Sequence, residues 1–164
     1  SATAKEREEE QIGSEVLALF EAADGEIFED GIESRFSQGL VSLITSSGNA
    51  AVKSVADIII SGHANPEAAS EALRWIGRVD NPQSSSNRLW LLESCLNCDS
   101  AKIRDGAILG LASMDNPKAI PYIKNAMERE NLSELKKDMQ QVIDQLENTI
   151  GAIHFTEGKK ESLV

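Results

Sequence analysis

The residues best suited to chemistry in this chain include two cysteines. Cys95 and Cys98 form a Cys-x-x-Cys pair, the spacing used by redox dithiols and by half of a tetrahedral zinc site. The pair lies at the end of a predicted helix, where the helix dipole raises a thiol pKa, whereas redox motifs use the helix start. A zinc site would also need a second cysteine pair or a histidine partner, and the sequence places neither nearby. We therefore predict that both cysteines are buried or incidental.

The histidines and the acidic residues do not form an active-site pattern either. His63 lies in the turn at 62–66 and His154 in the C-terminal tail, so no scaffold helix would hold either as a general base. The acidic connector at 24–31 lacks the alternating oxygen spacing with which an EF-hand binds calcium. Because no phosphate-binding or dinucleotide-binding glycine motif occurs, we predict a non-enzymatic protein with no metal and no cofactor.

Composition and charge restrict the class of partner. The 164 residues are 41% apolar, which is enough for one domain with a sizeable core. The chain has 16 basic and 27 acidic residues, which gives a formal net charge of -11. This charge repels phosphate backbones, so nucleic acid is not expected as a partner. No apolar run approaches the roughly 20 residues needed to span a bilayer, and no apolar signal segment follows the charged N-terminus. We expect a cytoplasmic protein with no membrane partner.

The elements that must position these residues are helices. The first is an amphipathic helix over about 4–23, whose apolar residues recur at helical spacing on one stripe. That stripe consists of Ile12, Val16, Leu19, Phe20 and Ala23. Beyond it the chain repeats, because residues 72–82 align with residues 107–117. Asn-Pro pairs at 65–66, 81–82 and 116–117 each close one helix and open the next, since proline restricts the preceding residue yet suits the first helical position.

This pattern predicts three helix pairs and a closing helix. The pairs cover about 31–45 with 49–62, 65–79 with 85–98, and 100–114 with 117–129, and the closing helix covers about 132–148. Each second helix has apolar residues at i, i+3 and i+7, which form one buried stripe. The stripes are Val52, Val55, Ile59; Leu89, Leu92, Leu96; Ile120, Ile123, Met127; and, in the closing helix, Leu135, Met139, Ile143, Leu146. We assign 1–30 to an N-terminal helix and connector, 31–148 to the repeats and 149–164 to a C-terminal tail.

The segment 103–112, followed by Asp115-Asn116-Pro117 and by 119–123, resembles a HEAT repeat of the phycobilisome-lyase-like subgroup. The resemblance is strong over 65–147, weaker over 31–62, and absent from 1–30 and the tail. It implies an all-α fold, a short right-handed superhelix of about three and a half helical hairpins, that binds macromolecules, usually proteins, on its concave face. The second repeat departs from the pattern by an insertion at 83–86, and the first has 45–48 in place of the Asp-Asn-Pro turn.

The resemblance also implies that the second helices line the binding face, which then lies opposite their buried stripes. This face comprises Ala50, Ser54, Asp57, Ser61; Asn87, Leu91, Ser94, Cys98; and Lys118, Tyr122, Asn125, Arg129. Leu91 and Tyr122 occupy equivalent places without a core role, so they are predicted to be the exposed centre of an interface. Predicted partner contacts are Asp57, Asn87, Leu91, Ser94, Lys118, Tyr122, Asn125 and Arg129. There are two alternatives. The N-terminal helix or the tail covers Leu91 and Tyr122, or the assigned helical register is off by one position.

Three functions fit this reading. We favour a scaffold or adaptor that binds a partner protein, a basic one given the charge, and a homodimer is compatible with it. The second is an accessory or chaperone subunit of an enzyme, such as a phycobilin-lyase-like protein, which the resemblance implies. The third is a HEAT-like DNA glycosylase, which would need a basic groove and an aromatic cage, and the net charge argues against it.

Three further features do not decide between these functions. Trp75 is predicted to lie in the core, and the position of Trp90 is left open between core and surface. The end of the tail, 162–164, would suit a PDZ-like groove, although a frayed terminus is the preferred interpretation.

Overall fold

The computed structural model describes residues 2–162, and within that range all regular secondary structure is helical, with no strand. The α-helices are α1 (Ala4–Ala22), α2 (Arg35–Ser47), α3 (Asn49–Ile60), α4 (Pro66–Ile76), α5 (Ser85–Cys95), α6 (Ala101–Met114), α7 (Ile120–Arg129) and α8 (Ser133–Ser162). The predicted all-α class is confirmed. Leu163 and Val164, on which the PDZ-like suggestion depends, lie outside the described residues.

Polar caps explain where the helices begin. Thr3 and Ser34 form capping boxes at α1 and α2, and the Asn65 side chain accepts a hydrogen bond of 2.8 Å from the Glu67 amide at the start of α4. Because Ser34 is the cap, α2 begins at Arg35 and not near 31. The Asn-Pro pairs at 81–82 and 116–117 open one-turn 3-10 helices, Pro82–Ser84 and Pro117–Ala119, which lead into α5 and α7.

The helices stack in the order that the repeats predict. Helices α2, α4, α6 and α8 pack in succession as one layer, α3 packs between α1 and α5, and α7 packs against α8. The predicted apolar stripes are buried, apart from Met127 and Leu19, which are partly buried. Trp75 is also buried, with 7% of its surface exposed, and its ring N–H donates to the Glu71 carboxylate, so its predicted core position is confirmed.

Helices α4 and α6 form the closest pair in the stack, because glycines allow their backbones to meet. A Cβ atom on Gly106 would lie 2.5 Å from the carbonyl oxygen of Ser70. A Cβ on Gly110 would clash with the Leu73 carbonyl, and one on Gly77 would clash with the backbone of Gly110. The absence of three side chains therefore sets the distance between the second and third repeats.

Two arginines fix the loops at the ends of α5. The Arg88 side chain, which is buried, donates to the Ile76 and Asn81 carbonyls and to the Ser84 hydroxyl, at 2.9–3.1 Å. This joins the C-terminus of α4 to the start of α5. Burial lowers the pKa of Arg88.

Arg104 on α6 is the second arginine that connects loops. Its guanidinium donates to both carboxylate oxygens of Glu130, at 2.8 and 3.0 Å, and to the carbonyl oxygens of Cys98 and Asp99, both at 2.9 Å. The Glu130 side chain is only 1% exposed and also accepts a hydrogen bond of 3.2 Å from the Leu132 amide. One side chain thus connects the α5–α6 loop to the α7–α8 loop.

We expect the stability that Glu130 contributes to disappear in acid. The hydrogen bonds that Glu130 accepts from Arg104 hold the pKa of its carboxyl group in the folded protein below the ordinary value of 4.5. A lowered folded-state pKa stabilises the fold above the unfolded-state pKa, and this stabilisation is lost as the pH falls through the folded-state pKa. At neutral pH the wild-type protein should therefore have a higher free energy of unfolding than the Glu130→Gln variant. This difference should shrink below about pH 4.5. Urea unfolding of both proteins across this range measures the difference, and a pH-independent difference would contradict the expectation.

The closing helix is longer than predicted, because α8 continues from the expected end near 148 to Ser162. The extension contains no proline, and the Thr149 hydroxyl donates to the Asp115 carboxylate at 2.7 Å. Asp115 has a left-handed backbone, with φ of 53°, and its carboxylate also accepts from Gln145 at 3.0 Å. Residues 151–160 are exposed, so the second half of α8 projects from the stack.

Candidate protein-binding groove

A groove with a volume of about 1110 Å³ runs over α3, between α1 and α5. Val52, Ala56 and Ile60 form its floor, because residues four apart lie one turn apart on the same face of α3. The N-terminal part of α1 forms one wall through Lys5 and Glu9, and α5 forms the other through Asn87 and Trp90. We refer to this cavity as the α3 groove.

The α3 groove presents two large apolar side chains to solvent. Trp90 is 55% exposed and Ile60 is 53% exposed, and both line the groove. Half-exposed tryptophans are frequent at the energetic centre of protein interfaces, since burying the ring on binding removes a large apolar surface from water. The position of Trp90, which the sequence left open, is therefore on the surface.

Charges of both signs surround this apolar strip. Lys5 and Lys53 line the groove together with Glu9 and Asp57, and all four are exposed. Beyond the groove, the start of α1 is strongly acidic, with Glu6, Glu8 and Glu10 exposed to solvent. The groove itself is thus close to neutral, whereas the exposed start of α1 has an acidic excess, since four glutamates at 6–10 outnumber Lys5 and Arg7.

The structure places four of the twelve residues of the predicted binding face in the α3 groove. Asp57 and Asn87 line it, as do Ala50 and Ser61. Ser54 instead faces α1, since a Cβ atom built on Gly13 would lie 3.6 Å from its hydroxyl oxygen. The alternative in which the N-terminal helix covers part of the face therefore applies at Ser54. Ser94 is half-buried, and its hydroxyl donates to the Trp90 carbonyl at 2.8 Å.

Leu91 is buried completely, so its prediction as an exposed interface residue is wrong. Helix α5 contacts both α3 and α6, and its buried arc is therefore wider than one stripe. That arc includes Arg88, Leu91, Leu92 and Cys95 at i, i+3, i+4 and i+7. The charged Arg88 concealed this arc in the sequence, because arginine is counted as a surface residue. Trp90, one position earlier, occupies the exposed place.

The remaining predicted residues are exposed but lie away from the α3 groove. Lys118, Tyr122 and Asn125 are open to solvent at the third repeat, and Tyr122 is 55% exposed, as predicted. Arg129 donates to the Asn97 side chain at 2.7 Å and lines a separate cavity of about 250 Å³ beside Cys98. The predicted face is therefore two surfaces and not one.

The groove residues that sequence reasoning missed include Lys5, Glu9, Lys53, Ile60 and Trp90. Lys5 and Glu9 could not be placed from the sequence, because the sequence does not reveal that α1 packs against α3. Ile60 belongs to an apolar run at 58–60 in which periodicity alone does not separate the buried residue from the exposed one. Only the placement of α1 and α5 on either side of α3 shows that these residues share a cavity.

Two further properties concern the described part of the chain. No group of three or more His, Cys, Asp or Glu residues within it is arranged to hold a metal ion. No helix in the same range combines the length and apolar character needed to cross a membrane.

The stacked hairpins and the groove along a second helix define the class of the protein, a helical-repeat solenoid. A comparison with known protein families matches residues 52–144, more than half of the chain, to HEAT repeats. The chain therefore belongs to the HEAT repeat family, whose members commonly mediate protein–protein interaction. Searches among curated proteins and among solved structures found no significant match.

Proposed function

We propose that this protein is a non-enzymatic, cytoplasmic scaffold that binds an amphipathic helix of a partner protein in the α3 groove. The observation that carries the proposal is the pair of half-exposed apolar side chains, Trp90 and Ile60, inside one elongated cavity. The floor follows the 12 residues of α3, so the groove suits a helix of about three turns. Recognition of this kind inserts one apolar helix face into an apolar groove.

Charge supports a partner helix with a basic flank. The exposed acidic residues at the start of α1 border one side of the groove, and the whole chain has a net charge of -11. Lysine or arginine on the partner would meet this acidic wall, which favours a fast encounter and a fixed orientation. The same charges oppose a nucleic-acid phosphate backbone, so a DNA glycosylase has no support from the groove.

The test is partner capture with a matched pair of variants. Trp90→Glu and Tyr122→Glu each place a charge at an aromatic residue that is 55% exposed, but only Trp90 lines the groove. We expect Trp90→Glu to weaken partner binding by about 30-fold, since a central aromatic contact contributes about 2 kcal/mol. Tyr122→Glu should leave partner binding within about threefold of wild type. Quantitative mass spectrometry of proteins captured from the native cell, followed by titration of the captured partner, measures both effects.

Circular dichroism should show the same helix content for both variants, because both side chains are exposed. Leu91→Glu is unsuitable for this test, because a buried carboxylate at that position would unfold α5. Equal capture by the wild-type protein and Trp90→Glu would refute binding in the α3 groove. Loss with Tyr122→Glu alone would move the binding surface to the third repeat.

A second candidate function is an accessory or chaperone subunit of a phycobilin-lyase-like enzyme. The resemblance to phycobilisome-lyase-like repeats supports it, and the groove volume of about 1110 Å³ is sufficient for a large organic ligand. This function predicts that the purified protein binds a bilin or stabilises a pigment protein. Spectroscopic titration with free bilin distinguishes it from a scaffold, which would show no binding.

A further inference from the structure

Cys95 and Cys98 are close enough to react with each other. Cys95 is the last residue of α5 and is buried, whereas Cys98 lies in the following turn and is half-buried. The Cys98 amide donates to the Cys95 carbonyl at 3.3 Å, so a single helical turn separates the two residues. Such a turn places Cα atoms about 5 Å apart, within the range of about 4.4–6.8 Å that disulfides span.

The surroundings of Cys98 favour a thiolate. A hydrogen bond from the Cys95 thiol lowers the pKa of Cys98 to about 7, and the positive charge of Arg104 acts in the same direction against burial and Asp99. The pKa of Cys95 is raised, first by its bond to Cys98 and then by burial. The prediction that the helix end raises the pKa is therefore wrong for Cys98, which lies beyond α5. The Cys95 thiol and the positive charge of Arg104 act on it there.

A path from solvent also reaches this residue. Cys98, Arg104 and Arg129 line the cavity of about 250 Å³ between the α5–α6 loop and the end of α7. A small polar oxidant can enter a cavity of this size. Its lining also includes the carboxylates of Asp99 and Glu130, which balance the charges of the two guanidinium groups, so the cavity suits a neutral oxidant such as hydrogen peroxide.

We propose that Cys95 and Cys98 form a reversible dithiol–disulfide site for hydroperoxides, with Cys98 as the nucleophile. The Cys98 thiolate attacks one peroxide oxygen, the O–O bond breaks, and the departing hydroxide takes up a proton to give water. The resulting sulfenic acid then reacts with Cys95. The S–S bond forms, the S–O bond breaks, and the Cys95 proton leaves with the hydroxide as a second water. Two thiols thus lose two electrons, and one hydrogen peroxide becomes two waters.

The test uses the reduced full-length chain and hydrogen peroxide. We expect intact mass spectrometry to show the loss of two hydrogen atoms, together with protection of both cysteines from iodoacetamide. Dithiothreitol should reverse both changes. Cys95→Ser should instead give a dimedone-trapped sulfenic acid at Cys98, and Cys98→Ser should give neither a disulfide nor an adduct in the same time.

Cys98→Ser changes a half-buried side chain, so circular dichroism should confirm that it folds like the wild type. The site would be overturned if the wild-type protein reacted no faster than free cysteine, or formed a disulfide only between two chains. Equal dimedone labelling of Cys95 and Cys98 would overturn the assignment of Cys98 as the nucleophile. None of these outcomes depends on partner binding, so this inference and the proposed scaffold function stand or fall separately.

Discussion

Arg104→Met is expected to lower the free energy of unfolding by about 3 kcal/mol, which is the lower end of the cost of breaking a buried ion pair. The Glu130 side chain is 1% exposed and would lose both guanidinium hydrogen bonds, while the hydrogen bond from the Leu132 amide would remain. The carbonyls of Cys98 and Asp99 would lose their donor at the same time. Because Arg104 itself is 18% exposed, water replaces part of the loss.

The matched control is Lys124→Met, which removes the cation of another ion pair. The Lys124 ammonium lies 3.6 Å from the Glu147 carboxylate, and both side chains are about half exposed. A surface pair of this kind contributes less than about 1 kcal/mol, so this variant should unfold almost like the wild type. Urea unfolding followed by circular dichroism compares the two. Similar losses in both variants would show that Arg104 does not join the loops as described.

Gly106→Ala is expected to destabilise the fold by about 2 kcal/mol, although alanine is the better helix former by about 1 kcal/mol. The new methyl group would lie 2.5 Å from the Ser70 carbonyl oxygen and 2.6 Å from the Ser70 Cα atom. Main-chain atoms cannot rotate away from a clash as a side chain can. Helices α4 and α6 must therefore separate, which loosens the packing along their whole contact.

The chain provides a control for the same substitution in a helix. Gly151 lies in the exposed half of α8, and a Cβ atom built there would meet nothing within 4 Å. Gly151→Ala should leave the thermal unfolding midpoint unchanged or raise it slightly, since it gains helix propensity without a clash. Opposite shifts of the midpoint in the two alanine variants are the expected result. A midpoint for Gly106→Ala at or above that of the wild type would refute the close contact.

The order of the helices followed from local signals. Each Asn-Pro pair restricts its own backbone, and a stripe such as Val52, Val55 and Ile59 is buried wherever the helix is placed. These effects need no knowledge of distant residues. The glycine contact did not follow in the same way, because the backbone distance between α4 and α6 depends on both helices at once.

The candidate site was predicted less well, because the exposed face of a helix depends on how many neighbours it has. Helix α3 has α1 and α5 beside it, and the residues predicted opposite its buried stripe line the groove, except Ser54. On α5, the pattern suggested one buried stripe, whereas the helix is buried on a wider arc that includes Arg88 and Leu91. A fully hydrogen-bonded arginine inside this arc is not visible from periodicity.

The three glycines between α4 and α6 have a mechanical consequence for ligand entry. Backbone contact makes the second and third repeats a single stiff body, because the main-chain atoms of Ser70, Leu73 and Gly110 at this contact cannot adjust as side chains can. Trp90 belongs to that body, whereas Lys5, Glu9 and the α3 floor belong to the N-terminal helices. A change in the width of the groove would then come from a small rotation of α1–α3 relative to the rest of the stack. Trp90 would then stay fixed while α1 moves towards it or away from it.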